Sequence, residues 1–295
     1  MEIKDFLDYL TADRKMSDNT VGAYRQDITA FSKFLEGRGI GSMAEATNTA
    51  VVAYLMDLKN SGKSSSTVSR KLASIRAYYR FLVNKGIVKV NPTEDIKAPK
   101  ISRNEISYFT IEEIEKLLDM PDDSTKGKRD RAILEVLYAT GIRASEIIEL
   151  RVSSINLRMG FVTCNGDHGK ARIVPIGSPA RKALEDYLGN SRPAYMRNGD
   201  AEDNEGMLFV NYVGEPLTRQ GLWKILKQYG GEAGLTEITP QMIRNSFAMH
   251  MVQNGIDMKS LQELMGHEDI LATEAYYEHN RSSIKDAYDK THPRA

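Results

Sequence analysis

The stretch VNPTEDIKAPKISRNEISYFT, residues 90–110, has two prolines and no hydrophobic period, and the pattern of the chain differs on its two sides. A segment with neither a helical nor a strand period cannot bury one face, so one hydrophobic core ends near it and another begins. The expected organisation is a first unit over residues 1–100, a linker over 101–107 and a second unit over 108–295. A length of 295 residues agrees, since single cores stop growing at about 250–300 residues.

Before the linker the chain reads as helices only. Ile3, Phe6, Leu7 and Leu10 recur at i, i+3, i+4 and i+7, and Val21, Tyr24, Ile28, Phe31 and Leu35 repeat that stripe behind a capping SDNT. A third helix is expected from Asn48 to Asn60, closed by NSGKSSS, whose serines and glycine stop one helix and cap the next. The fourth carries Val68, Leu72, Ile75, Tyr79 and Leu82 on its stripe and leaves Arg70, Arg76 and Arg80 off it. After the linker the pattern is mixed. TIEEIEKLLDM opens with a capping box of Thr110 and Glu113, and KRDRAILEVLYATG is a helix ending at Gly141. Phe161 to Cys164 and Ala171 to Ile176 are β-rich runs flanking NGDHGK, so a hairpin is expected, with a further short strand around MLFVN and three or four helices after it. The fold class is therefore mainly α, with a small antiparallel sheet in the second unit.

Net charge is zero but unevenly spread. Residues 1–107 hold 17 Lys+Arg against 12 Asp+Glu, and the remainder 23 against 28. A basic first third permits a nucleic-acid partner, and Arg70, Arg76 and Arg80 are its candidate contacts. The single cysteine, Cys164, rules out an internal disulfide and suits a reducing compartment. No apolar run approaches the roughly 18 residues of a membrane span, so a cytoplasmic protein without a membrane partner is expected.

The sequence has no P-loop, GxGxxG, GxSxG or HExxH, and its five histidines show no paired metal spacing, so neither a metal nor a cofactor is expected. Four other features remain. ATGIRASEIIEL places Arg143 between a helix-ending glycine and a new helix containing Glu146; QMIRNSFAMHM sets Arg244 in the first turn of a largely apolar helix. LMGHEDI puts His267 after a glycine, and TEAYYEHN brings a tyrosine pair. Each alone has an ordinary explanation: a salt-bridged arginine, a capping histidine, core tyrosines.

In this order, together with the NTVGAYRQDITAF, RIVPIG and THPRA segments, they resemble the tyrosine recombinases, the phage-integrase family, and within it the bacterial Xer-type members. The resemblance covers the whole chain. It implies an amino-terminal four-helix SAM-like core-binding domain and an α+β catalytic domain of tyrosine recombinase type, closing on double-stranded DNA as a C-shaped clamp. It also implies strand exchange by a homo- or hetero-oligomer, a tetramer on two DNA sites. Tyr276, nine residues after His267, takes the nucleophile's place; counting back from HPRA selects it over Tyr277. Arg143, Arg244 and His267 become the phosphate-binding groups.

The chemistry is consistent with those residue types. A tyrosine hydroxyl can store phosphodiester energy as a 3′-phosphotyrosine, but its ordinary pKa of about 10 demands stabilisation of developing charge. Guanidinium forks supply it, because they donate two charge-assisted bonds to phosphate oxygens and stay protonated. Two positions depart from the family pattern. Gln241 stands three residues before Arg244, where a histidine is usual, and an amide cannot transfer a proton. The lysine expected to protonate the leaving 5′-oxygen falls on Asp167 in an ungapped alignment; Lys170, and less directly His168, are the nearby substitutes, while Lys170 equally matches a second lysine common in the family's hairpin and reads as well as a DNA-backbone contact or surface charge. Two readings follow: an active site-specific recombinase or integrase, or a catalytically impaired DNA-binding member of the same fold acting as partner or regulator.

Overall fold

In the computed structural model the chain forms two compact units, Met1–Asn104 and Glu105–Ala295. The structure describes residues 2–99, 106–166, 170–196 and 206–291, with backbone only for residue 2 and for 282–291.

The first unit has four α-helices, α1 (Glu2–Ala12), α2 (Asp18–Glu36), α3 (Asn48–Asn60) and α4 (Ser65–Asn84). The hydroxyls of Ser17, Thr47 and Ser64 accept from the first-turn amides of α2, α3 and α4, satisfying donors that have no partner inside the helix. The anticipated stripes turn inward: Phe6, Ile28, Phe31, Leu72, Ile75, Tyr79 and Leu82 are all fully buried. Each such side chain contributes about 1.5–3 kcal/mol through the water it leaves.

Two of the three arginines expected on the outer face of α4 have internal partners. Arg70 pairs with Asp27, a carboxylate only 1% exposed, which also accepts from Lys71 at 3.0 Å and from the Ser74 hydroxyl at 2.8 Å. A buried carboxylate on the apolar side of α2 requires such donors. Arg76 donates to the carbonyl of Ile96 at 2.6 Å, and Asn48 and Ser69 hold the carbonyls of Pro92 and Pro99. The aperiodic residues 92–99 are thus fastened to the first unit by side chains of its own helices. Arg80 is exposed.

The second unit begins with α5 (Ile111–Asp119), α6 (Thr125–Thr140) and the short α7 (Ala144–Ile148). The predicted capping box forms at the start of α5: the Thr110 amide donates to Glu113 at 2.8 Å and the Glu113 amide to the Thr110 hydroxyl at 3.2 Å. A three-stranded antiparallel sheet follows, β1 (Ile155–Asn156), β2 (Phe161–Asn165) and β3 (Ala171–Pro175), in the order β1-β2-β3, with Cys164 opposite Arg172. The expected hairpin is present; Asp167 and His168 in its turn lie outside the described residues. Then come α8 (Ser178–Asp186), α9 (Arg192–Met196), α10 (Arg219–Ala233), α11 (Pro240–Gln253), α12 (Met258–Met265) and α13 (Ile270–Thr291).

The strand expected around MLFVN is absent. That segment makes only isolated bridges, Arg151 with Met207 and Val210 with Pro216. Leu208, Phe209 and Val210 are all buried, so the run lacks the in-out alternation of a half-exposed strand and crosses the core as a loop. The core centres on α6, whose Ala132, Ile133, Val136 and Leu137 are at most 1% exposed. A separate cluster of Phe247, Met249, Leu261, Met265 and Tyr276 joins α11, α12 and α13, and Ile106 and Tyr108 pack against it.

Candidate active site

The helix α6 ends because Gly141 adopts φ 56°, a left-handed conformation that glycine takes at little cost. A Cβ there would also run into the ring of Phe247 on α11. The chain turns and starts α7 with Arg143 at its N-cap, where the Arg143 amide donates to the carboxylate of Glu146 at 2.8 Å.

Glu146 is 7% exposed and receives more than that amide. Arg143 donates to Oε1 at 3.0 Å, and Arg172, arriving from β3, makes a bidentate pair through Nη1 at 2.7 Å and Nη2 at 2.9 Å. Burial pushes the Glu146 carboxyl up, yet the bonds from Arg172 and from the Arg143 amide outweigh it and leave it below the ordinary value.

Three further guanidinium bonds converge on the carboxyl end of α12. Arg172 Nε donates to the carbonyl of Leu264 at 2.7 Å, Arg244 Nη2 to Met265 at 2.7 Å and Arg143 Nη2 to Gly266 at 2.7 Å. Those carbonyls have no acceptor role inside the helix and carry the negative end of its dipole. Arg244 stands one turn into α11 rather than in its first turn, is 3% exposed, and also donates to the Gly141 carbonyl. Burial first, and then the charge of Arg143, lower its pKa to about 10, so it stays cationic at neutral pH.

Gly266 closes α12 at φ 62° and hands the chain to His267. The Nδ1 of His267 shares a 2.9 Å hydrogen bond with the buried hydroxyl of Thr273; when that hydroxyl donates, Nε2 carries the ring proton and can donate in turn. Burial and then the charges of Arg244, Arg143 and Arg172 bring His267 down to about 4, so its imidazole is neutral at pH 7. Its ring lies parallel to that of Tyr276 at 6.3 Å between centroids. Tyr276 is 5% exposed and donates its hydroxyl to Asn245 Oδ1 at 2.9 Å; burial raises its pKa while Arg244 lowers it. The Tyr277 hydroxyl instead donates to the carbonyl of Ile256 at 2.6 Å.

Clefts flank this cluster on two sides. One of about 300 Å³ is lined by Arg143, Arg244, Gln241, Arg219 and Trp223. The other, about 340 Å³, places Lys170 on the same wall system as His267, Arg172 and Lys259. Gln241 is exposed and donates to Asn245 Oδ1 at 2.9 Å.

With that geometry in place, comparison with protein families gives two matches. Residues 107–283 fit the model of the phage integrase family, and residues 3–86 fit its phage integrase N-terminal SAM-like domain. The chain belongs to the phage integrase family. It is 40% identical to the tyrosine recombinase XerC of Roseiflexus castenholzii, over 100% of this chain and 94% of that protein. It is 39% identical to the tyrosine recombinase XerD of Oceanobacillus iheyensis, over 99% of this chain and 98% of that protein. Among solved structures, the XerH site-specific recombinase bound to a palindromic difH substrate matches with a TM-score of 0.75 at 19% identity, covering 93% of this chain and 80% of that one. A lambda integrase dimer bound to a COC′ core site matches with a TM-score of 0.73 at 18% identity, covering 93% and 75%. At those identities the structures establish the fold.

For this integrase-family chain, the sequence pointed to Arg143, Arg244, His267 and Tyr276, and the structure brings all four together. Arg172, Thr273 and Asn245 went unnoticed. Arg172 sits in an alternating strand as an ordinary exposed cation would, and only the fold puts Glu146 in front of it. Thr273 and Asn245 act through single contacts that leave no pattern in the sequence.

The depressed His267 has a consequence for stability. Between about 4 in the folded chain and the ordinary 6.5, the unfolded chain binds a proton that the folded one does not, so stability falls as pH drops through that window. His250, also lowered by burial, acts in the same sense, whereas Glu146 adds its loss only below its ordinary 4.5. Urea unfolding at a series of pH values between 4.5 and 6.5 is expected to show a flatter dependence for His267→Asn than for the wild type; coincident slopes would contradict it.

Proposed function

We propose that the protein is a site-specific DNA recombinase that cuts and rejoins strands through a 3′-phosphotyrosyl intermediate. The observation that carries this is the convergence of Arg143, Arg244 and His267 on one helix end beside the buried hydroxyl of Tyr276. The Tyr276 oxygen attacks phosphorus and gives its proton to solvent water, the bond from phosphorus to the 5′-oxygen breaks, and that oxygen takes a proton from a general acid and departs as a hydroxyl. Arg143 and Arg244 neutralise the non-bridging oxygens, and His267 donates a further bond from Nε2. Lys170, on the cleft shared with His267, is the candidate acid for the leaving oxygen, in place of the lysine that Asp167 displaces. Rejoining reverses the step with the 5′-hydroxyl of another strand, so two sites and several protomers, a tetramer in a full exchange, are required.

Double-stranded DNA is the substrate, and the cytoplasm its compartment. Among the described residues no helix is long and apolar enough to cross a membrane. The solved relatives include a recombinase and an integrase dimer, each bound to its own DNA site.

A nicked suicide DNA substrate followed by a denaturing gel tests the chemistry. The wild type is expected to form a covalent adduct that Tyr276→Phe loses and Tyr277→Phe keeps. No wild-type adduct on any cognate site, together with one from Gln241→His combined with Asp167→Lys, would make the chain a DNA binder without cleavage.

The arginines of α4 divide by their partners. Arg80→Ala is expected to weaken binding across DNA sequences and to reduce the salt slope by about 1. Arg76→Ala is expected to destabilise the first unit by about 1 kcal/mol through the lost Ile96 bond. Equal salt slopes for wild type and Arg80→Ala would return Arg80 to a solvated surface role.

A further inference from the structure

We infer that Asn245 is a positioning residue for Tyr276: its side-chain amide, oriented by the Ser107 carbonyl and by Gln241, takes the hydroxyl's hydrogen bond and fixes how the phenol oxygen meets phosphorus. The inference rests on Tyr276 as nucleophile.

An asparagine amide offers an oxygen that accepts and a nitrogen that donates, and its neighbours decide which faces where. Asn245 Nδ2 donates to the carbonyl of Ser107 at 2.9 Å. That leaves Oδ1 toward two donors, the Tyr276 hydroxyl at 2.9 Å and Gln241 Nε2 at 2.9 Å. Turning the amide over would set oxygen against the Ser107 carbonyl oxygen and lose that bond. The carbonyl itself is held in place. The Phe109 amide donates to the Ser246 hydroxyl at 2.8 Å, and Gln253 Nε2 donates to the Tyr108 hydroxyl at 3.3 Å, so residues 107–109 are fastened along α11.

The consequence for Tyr276 is directional. Its proton is committed to the Asn245 side, and the lone pairs are what remain to meet phosphorus. An amide oxygen is too weak a base to take that proton, so Asn245 orients the nucleophile and does not deprotonate it. The bond also favours the neutral phenol, in the same direction as burial. Gln241 acquires a role here that differs from that of a histidine: from one turn earlier on α11 it braces Asn245 as the second donor.

The test uses the full chain with fluorotyrosine in place of Tyr276, titrated by fluorine NMR without DNA, beside single-turnover cleavage of the nicked substrate at saturating DNA. Asn245→Ala is expected to lower the phenol midpoint, because a bond to the neutral form is lost. The isosteric Asn245→Asp is expected to raise it by setting a carboxylate against the phenolate, and Gln241→Leu to move it less than either. Cleavage by Asn245→Ala is expected to slow on the order of ten- to a hundredfold with DNA affinity unchanged. A midpoint that is the same in wild type, Asn245→Ala and Asn245→Asp overturns the inference, as does a shifted midpoint with unaltered cleavage. An absent wild-type adduct overturns the proposed function and the positioning role with it; the titration then still separates a real contact from none.

Discussion

The site depends on the carboxyl end of one eight-residue helix, α12. Three guanidinium groups each give one bond to a carbonyl at that end, those of Leu264, Met265 and the capping Gly266. Like charges brought so close repel, and two features offset the repulsion. The helix end supplies partial negative charge, and Glu146 supplies a full one between Arg143 and Arg172. The same turn that exposes these carbonyls delivers His267, so one helix terminus fixes the arginines and the imidazole together.

Packing several guanidinium groups around one imidazole shifts the pKa values of the members. Arg244 and His267 are both depressed, in each case by burial first and then by the charges of neighbouring arginines. A phosphate placed among them reverses the second cause and favours the charged forms. Preformed donors need no rearrangement when charge develops on phosphorus, and that is where such a site has its advantage over water. In the proposed chemistry the phenol of Tyr276, buried and pushed up, is the group that such stabilisation serves.

Much of this was legible in the sequence, and what was not has physical reasons. The helices announced themselves through stripes such as Val68, Leu72, Ile75 and Leu82, which are buried as their spacing requires. The hairpin followed from β-rich runs around turn residues. MLFVN misled because a run of consecutive apolar residues marks burial and leaves strand and loop undecided. Arg143, Arg244, His267 and Tyr276 were visible as a motif. Arg70 and Arg76 looked like unpaired cations because the sequence does not show Asp27 lying opposite one and the Ile96 carbonyl opposite the other, although Arg70 stays exposed at the surface. Glu146 was visible as a helix-start acid, but its pairing with Arg172 spans 26 positions and exists only once β3 packs beside α7. Gln241 changed most: in the sequence it was a missing histidine, and in the fold it is a brace on Asn245.

Beside that helix end, the charge of Glu146 holds Arg143 and Arg172 together without any DNA. The direct measurement is the unfolding free energy of Glu146→Gln against wild type at neutral pH, without DNA. Removing the charge while keeping the shape leaves Arg143 and Arg172 facing an amide, and the expected loss is about 2–4 kcal/mol. A loss below about 0.5 kcal/mol, the scale of an exposed surface pair, would contradict it.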